Sequence, residues 1–178
     1  PGDCVVAMNL SAQSLCDDEF LPFVLAELDR CGFSAQHLCF EITETSAIGN
    51  LSRAIHFISS LRARGCRFAL DDFGSGLSSF GYLKNLPVDF LKIDGSFVRD
   101  IETDAMDLAL VDSINQIGHV AGIRTVAEYV ETVEIQERLR RLGVDYAQGY
   151  AIARPVPLQE LTDSLTRPAG KRRDARRT

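Results

Sequence analysis

The strongest constraint on the fold is a regular alternation of short apolar, β-branched runs with longer segments of helical period. The apolar runs lie at 4–9, 37–43, 67–72, 88–94, 123–128 and 144–150, and the helical patterns at 17–32, 51–65, 103–122, 132–143 and 157–166. Strands that alternate with helices form a mostly parallel sheet with crossover helices. Nearly continuous apolar strands indicate a sheet that is covered on both faces. We therefore predict an α/β fold with six β/α units in residues 1–166.

A polar side chain closes each of these strands. The strand-end residues are Asn9, Glu41, Asp71, Asp72, Lys92, Asp94, Glu128 and Gln148, with Glu44 just beyond the second strand. Polar groups at the ends of buried strands are costly unless they have partners or a function. In a (β/α) barrel the carboxyl ends of all strands converge on one rim, whereas an open doubly wound sheet spreads them along a line. The series therefore favours a barrel with a site on that rim.

Four of the acids at the strand ends, Glu41, Asp71, Asp72 and Glu128, are expected to crowd together, which indicates a cation site. Carboxylates that are crowded together repel, and some of them take up protons unless a cation balances them. Oxygen ligands of this kind suit Mg²⁺ or Mn²⁺, and the Asn9 amide would add a neutral oxygen. The adjacent pair Asp71–Asp72 allows one carboxylate to bridge two ions while the other binds one. A pair of ions at about 3.5–4 Å is the usual apparatus for phosphodiester hydrolysis.

Lys92 and the loop that follows the Asp pair complete the predicted site. Lys92 is the cation among the strand-end residues, so we expect it to orient an attacking water or to stabilise charge. The loop DDFGSGLSSF (71–80) carries Gly74 and Gly76, which permit positive φ and close ligand approach. Its hydroxyls belong to Ser75, Ser78 and Ser79. We expect a mobile functional loop.

Charge and cysteine content exclude several other classes of protein. The formal balance of 19 − 25 = −6 contains a tail, residues 171–178, of +4, so residues 1–170 carry 14 − 24 = −10. An acidic body argues against a surface that coats a nucleic acid polymer. The five cysteines form no C-x-x-C pair, which disfavours a zinc site and fits a reducing, cytoplasmic location. No apolar run is long enough for a transmembrane helix. The basic segment 167–178 is predicted to be a disordered tail.

Six motifs in register resemble the EAL-domain family, the cyclic di-GMP phosphodiesterases of bacterial signalling. They are NLSA (9–12), FEITET (40–45), DDFGSGLSSF (71–80), LKID (91–94), AEYVE (127–131) and QGY (148–150). The resemblance extends to about residue 160. It implies a modified TIM barrel that hydrolyses cyclic di-GMP to linear pGpG with two Mg²⁺ or Mn²⁺ ions.

The resemblance also implies a role for each matching residue. The metal ligands would be Asn9, Glu41, Asp71, Asp72 and Glu128, with Asp71 shared by the two ions. The catalytic residues would be Lys92, Glu128 and Gln148. The loop and the substrate would be supported by Glu44, Asp94, Glu131, Gly74, Ser75 and Gly76. Within this set, Glu44 would anchor the loop that follows Asp72, and Glu128 has also been described as a general base.

Two departures from the family pattern limit this interpretation. Tyr129 stands where the family often has Gly, and the tripeptide Glu-Ala-Leu within E-x-L-x-R does not occur. That motif supplies a metal ligand and a substrate-binding Arg from an opening β-hairpin, and we expect this chain to begin after it. We therefore predict weak or no turnover for residues 1–178 alone. A catalytically inactive module that binds cyclic di-GMP or another protein is the alternative hypothesis. A homodimer and a parent protein with an upstream sensory or GGDEF domain, or with a membrane anchor, are further expectations.

Overall fold

A computed structural model describes residues 4–76 and 80–166 of the chain. Within them, six parallel strands pair in chain order, each with its sequence neighbours. The strands are β1 (Val6–Leu10), β2 (Leu38–Thr43), β3 (Arg67–Phe73), β4 (Phe90–Ile93), β5 (Arg124–Ala127) and β6 (Tyr146–Ala147). The predicted tail 167–178 and the serines Ser78 and Ser79 lie outside the described residues. The prediction of six parallel β/α units is confirmed.

Eight α-helices are present in these described ranges. They are α1 (Ala12–Cys16), α2 (Phe20–Cys31), α3 (Glu44–Gly49), α4 (Leu51–Arg62), α5 (Gly95–Val98), α6 (Ala105–Val120), α7 (Val133–Leu142) and α8 (Leu158–Thr166). The sequence predicts the five longest of them. The short helices α1, α3 and α5 each follow a strand end directly, where the sequence pattern gives no helical period long enough to detect. No helix in the described part of the chain is long and apolar enough to cross a bilayer.

The helix starts follow from side chains that cap free backbone N–H groups. Asp104 accepts the N–H of Met106 at 2.7 Å and the N–H of Asp107 at 3.3 Å at the start of α6. Thr132 accepts the N–H of Ile135 at 3.2 Å at the start of α7. Acids and hydroxyls at these positions also suit the positive end of the helix dipole. Local chemistry therefore fixes where the crossover helices begin.

The outer face of the sheet and the helices that cover it form the core. Phe68, Leu70, Leu91 and Ile93 are fully buried on that face and pack in one cluster with side chains from α4 and α6. The sequence predicts Phe23, Phe57, Phe68, Phe90 and Phe97 as core residues, and this prediction is wrong for Phe23 in α2, which is 59% exposed. The buried face of α2 is formed instead by Val24 with the partly buried Phe20, Leu21 and Leu28.

The inner face of the sheet is concave and open. A cleft of about 580 Å³ lies on it, and its lining comes from every strand or the residue beside it. The lining residues are Val5, Ala7, Cys39, Glu41, Arg67, Ala69, Phe90, Lys92, Arg124, Val126, Tyr146 and Gln148. Among the described residues, β1 and β6 each pair on one side. The six strands therefore form a curved part of a barrel wall, whose carboxyl ends converge as predicted.

Candidate metal and active site

Lys92 lies at the centre of the converging strand ends. Its Nζ atom contacts Glu41 Oε2 at 2.9 Å, Asp71 Oδ1 at 2.8 Å and Glu128 Oε1 at 2.8 Å. These carboxylates come from β2, from β3 and from the residue after β5, so one lysine of β4 joins four neighbouring strands. The Lys92 side chain is 5% exposed. The structure thus brings together four of the side chains that the strand-end pattern singles out.

Negative charge exceeds positive charge in this cluster. Burial alone would lower the pKa of Lys92, but hydrogen bonds to Asp71, Glu128 and Glu41 outweigh it and raise that pKa, so the ammonium stays protonated. Burial raises the pKa of Glu128, and the charges of Asp71 and Asp72 add to this effect, although Lys92 opposes it. One ammonium thus faces three carboxylates, and the pKa of Glu128 stays raised although Lys92 contacts it. Lys92 therefore neutralises the cluster only in part.

A one-residue bulge in β3 sets the directions of the adjacent acids. Leu70 pairs with Leu91 and Phe73 pairs with Ile93, so three steps on β3 oppose two on β4. Asp72 lies in this bulge with a φ of 53°, a left-handed conformation that is uncommon for a residue with a Cβ. Asp71 is consequently buried against Lys92 while Asp72 is exposed. Bulges of this kind re-aim side chains at active sites.

Asp71, Asp72 and Glu128 fit a divalent cation. Each offers one carboxylate oxygen, and the three oxygens lie within 4.8 Å of one another. Burial raises the pKa of Asp72, and Asp71 and Asp94 raise it further. A set of hard oxygen donors with uncompensated charge is the chemistry that Mg²⁺ and Mn²⁺ require. The residues present are therefore suited to hold such an ion.

The remaining predicted residues surround this centre at different depths. Asn9 is exposed on β1, directly opposite Glu41 in the strand register. Gln148 and Glu131 are exposed and line a cleft of about 240 Å³ with Glu128. This cleft opens beside the cluster on the side of β6. The functions of these residues stay predictions, but their location at the same rim is a structural fact.

Glu44 and the loop after Asp72 are joined by hydrogen bonds. The buried Glu44 carboxylate accepts the N–H of Gly74 at 3.0 Å and the hydroxyl of Tyr82 at 2.6 Å. The sequence predicts that Gly74 permits positive φ, and its φ is 96°. The Ser75 hydroxyl donates to the Asp72 carbonyl at 2.8 Å, and Gly76 is the last described residue before the gap at 77–79. The sequence analysis misses Tyr82, because nothing in its local pattern separates it from a core aromatic residue.

Asp94 lies beside the centre, and its described hydrogen bond is local. Its carboxylate accepts the N–H of Ser96 at 2.7 Å and so caps α5. The charge of Asp94 still reaches Asp72, whose pKa it helps to raise. A role for Asp94 in binding substrate stays a prediction, while its capping contact is present.

Tyr129 adopts a conformation that glycine would occupy at lower cost. Its φ is 54°, and its ring lies across the Cα of Gly95, where any Cβ would overlap it. The Arg99 guanidinium lies 5.4 Å from the centre of the same ring. The Tyr129 side chain is therefore accommodated next to Glu128 because Gly95 leaves room for it. This packing accounts for the departure from the family pattern.

The letters E-x-L-x-R do occur once in the chain, in Glu137–Arg141, but in a different structural context. They lie on α7, where Leu139 is buried in the core and Glu137 is exposed. This segment is an amphipathic helix and not the strand motif of the family.

Comparison with known proteins identifies the family. The family model described as "EAL domain" matches residues 1–155. The chain belongs to the EAL-domain family. Among curated EAL-containing relatives, the cyclic di-GMP phosphodiesterase PdeB of Shewanella oneidensis is 48% identical over 156 residues, which cover 88% of this chain and 18% of PdeB. The chain thus spans about a fifth of the length of this relative.

Solved EAL structures share the fold. The complex of PaMucR phosphodiesterase with c-di-GMP has a TM-score of 0.83 at 37% identity, covering 88% of this chain and 64% of that one. The EAL domain of Mycobacterium smegmatis DcpA has a TM-score of 0.84 at 34% identity, covering 90% of this chain and 72% of that one. The prediction of a TIM-barrel-like EAL fold is therefore confirmed.

Proposed function

We propose that this chain carries the metal-binding rim of an enzyme that hydrolyses cyclic di-GMP to linear pGpG. The observation that carries the proposal is the convergence of Glu41, Asp71 and Glu128, from three neighbouring strand ends, on the buried Lys92. Such an arrangement would be costly if it served stability alone, because the excess negative charge is uncompensated. The relative PdeB is named a cyclic di-GMP phosphodiesterase, and PaMucR phosphodiesterase is a complex with c-di-GMP, which supports this substrate.

Two divalent ions, Mg²⁺ or Mn²⁺, are proposed for this rim. Asp71, Asp72 and Glu128 would hold one of them, and Asn9, Glu41 and Asp71 would hold the other. When bound, such ions supply a nucleophilic water at neutral pH and neutralise charge on the phosphate. Burial and neighbouring acids raise the pKa values of Asp72 and Glu128, and a bound cation would oppose both effects, which supports this assignment.

The chain's own residues then have defined roles in the proposed hydrolysis. Hydrolysis adds the oxygen of one water to phosphorus, breaks one P–O3′ bond and releases a 3′-hydroxyl. Lys92 holds Glu41, Asp71 and Glu128 in fixed positions and places a positive charge beside the attacked phosphate. Glu128, whose pKa is raised by burial, is the proposed acceptor of the proton from the attacking water. Gln148 and Glu131 would contact the nucleotide in the adjacent cleft.

The test compares two proteins, purified residues 1–178 and a fusion. In the fusion, residues 1–178 follow the segment of the Shewanella oneidensis PdeB EAL domain that precedes its match to this chain. We expect the fusion to convert cyclic di-GMP to pGpG with Mn²⁺, as measured by chromatography, and residues 1–178 alone to show weak or no turnover. Robust turnover by residues 1–178 would show that these residues suffice for the reaction.

Two results of the same assay would overturn the proposal in different ways. Binding of cyclic di-GMP by the fusion without hydrolysis would favour the inactive binding module. Hydrolysis of other phosphodiesters but not of cyclic di-GMP would favour a different metal-dependent hydrolase.

Glu41→Gln in the fusion is the matched site variant, and Glu134→Gln on the exposed surface of α7 is its control.

A further inference from the structure

Both ends of the segment 74–82 are held by one carboxylate. Glu44, the first residue of α3, is 3% exposed. Its Oε2 atom accepts the N–H of Gly74 at 3.0 Å, and its Oε1 atom accepts the hydroxyl of Tyr82 at 2.6 Å. Gly74 begins the segment two residues after Asp72. Tyr82, at its other end, lies in the 3₁₀ turn Phe80–Lys84. Glu44 is thus a clamp between the two ends.

Tyr82 is a necessary part of this clamp. A buried carboxylate needs a donor for each oxygen, and removal of one donor leaves part of a buried charge unpaired. Burial and the neighbouring Glu44 both raise the pKa of Tyr82, so its hydroxyl stays protonated and donates. The short O–H···O contact is of the charge-assisted kind that holds a carboxylate most firmly. Without it, the orientation of Glu44 toward Gly74 is no longer fixed.

The contact with Gly74 matters because of the backbone just before it. Asp72 has a φ of 53° and Gly74 a φ of 96°, so two left-handed residues lie within three positions. Such conformations persist only where surrounding contacts determine them. The hydrogen bond from Gly74 to Glu44 is one such contact, and it acts on the backbone that carries the Asp72 carboxylate. Changes at Glu44 therefore reach a proposed metal ligand through two peptide units.

We propose that Tyr82 is a positioning residue for the metal-binding rim. Its hydroxyl fixes Glu44, Glu44 fixes Gly74, and Gly74 fixes the backbone conformation of Asp72. Tyr82 acts through Glu44, to which its hydroxyl donates at 2.6 Å. This inference rests on the proposed function for its effect on catalysis, whereas its effect on metal binding can be measured separately.

The main experiment uses Tyr82→Phe, which keeps the ring and removes the hydroxyl. We expect the affinity of residues 1–178 for Mn²⁺, measured by calorimetric titration, to fall by about tenfold. The low-temperature electron paramagnetic resonance spectrum of Mn²⁺ bound to this variant should broaden, because Asp72 is less well ordered. In the PdeB fusion, we expect kcat to fall by a similar factor while the KM for cyclic di-GMP stays within about twofold.

The matched control is Thr125→Val, which also removes one hydroxyl donor from a buried position. The Thr125 hydroxyl donates to Asn115 Oδ1 at 2.6 Å, the same distance as from Tyr82 to Glu44, on the face of β5 that packs against α6. Loss of that bond should lower stability in urea, as Tyr82→Phe does. Thr125→Val should leave Mn²⁺ affinity and kcat unchanged. Equal effects of both variants on Mn²⁺ affinity would overturn the proposal, because they would show a general loss of stability.

A double-mutant cycle tests the route through Glu44. Glu44→Gln should weaken Mn²⁺ binding by itself, and adding Tyr82→Phe to it should produce little further loss. Fully additive losses would contradict the route. If the unaltered chain binds Mn²⁺ but the fusion does not hydrolyse cyclic di-GMP, the proposed function fails while the Mn²⁺ titrations still decide the role of Tyr82. If the unaltered chain does not bind Mn²⁺, both proposals fail.

Discussion

The two ends of the sheet hold polar clusters of opposite character. At the carboxyl ends, Lys92 faces more acids than it can neutralise. At the amino ends, Thr125 donates its N–H to Asp145 at 2.8 Å and its hydroxyl to Asn115 Oδ1 at 2.6 Å. His119 Nε2 lies 2.9 Å from the same Asp145 carboxylate.

The cluster at the amino ends is complete within the protein itself. Asn115 also donates to the Leu142 carbonyl at 3.0 Å, so the network joins α6, β5 and the end of α7. Donors and acceptors match, and hydrogen bonds lower the pKa of Asp145 despite its partial burial. In barrels of this kind, the amino end of the sheet serves stability and the carboxyl end serves chemistry. Matched pairing thus marks a structural cluster, and excess charge marks a site for a ligand.

The contrast between the two clusters would be wrong if acids at the carboxyl ends and at the amino ends of the sheet affected catalysis alike. In the PdeB fusion, Asp71→Asn should lower kcat by at least about a hundredfold, since loss of a metal ligand exceeds the loss of a neighbouring supporting group. Asp145→Asn should leave kcat within about threefold, because it alters stability and not the rim. The measurement is the rate of pGpG formation at saturating Mn²⁺. A comparable loss of rate in both variants would contradict the division between the two ends.

Lys92→Met tests whether the acids of the carboxyl-end cluster depend on the positive charge of Lys92 for stability. Removing one partner of a buried ion pair leaves uncompensated charge and typically costs about 3–5 kcal/mol. We expect residues 1–178 with this change to lose stability in urea by that amount and to regain part of it with Mn²⁺. A stability equal to that of the unaltered protein would show that the three carboxylates are already neutral.

Gly95→Ala tests the strained packing at the rim. The added Cβ would overlap the Tyr129 ring, so we expect a loss of about 1–3 kcal/mol in the free energy of unfolding. Tyr129→Gly alone should be close to neutral, because relief of the left-handed strain offsets the lost contact with Arg99. The double variant should recover most of the stability that Gly95→Ala removes. Independent, additive changes would indicate that the two residues do not constrain each other.

Asp145→Asn has the smallest expected effect on stability, and the pH dependence of that effect tests whether the amino-end cluster stabilises the fold. Because hydrogen bonds from Thr125 and His119 lower the pKa of Asp145 in the folded protein, its ionised form stabilises the fold. That contribution is fully present above the ordinary carboxyl pKa of about 3.9 and disappears as pH falls through the lower folded value. We expect a loss of about 1 kcal/mol at pH 7 that shrinks as pH falls below the ordinary carboxyl pKa. A difference that is constant with pH would indicate a purely steric effect.

Sequence patterns predict the strands and the list of strand-end residues because both depend on local chemistry. The period of the apolar residues locates β1 to β6, and convergence of strand ends then brings Glu41, Asp71 and Lys92 together. The contacts of Tyr82 and Tyr129 could not be predicted in this way. Tyr82 reaches Glu44 from 38 positions away, and Tyr129 depends on the absence of a side chain at Gly95. Phe23 is predicted to lie in the core, whereas the packing of α2 leaves its side chain 59% exposed.

The chain-order pairing of the strands also means that the rim is built from contacts between segments that are near in sequence, which favours rapid folding. Along the chain, the acids of β2 and β3 come first, Lys92 comes next on β4, and Glu128 follows β5. The lysine is therefore synthesised before the last of the acids that it contacts.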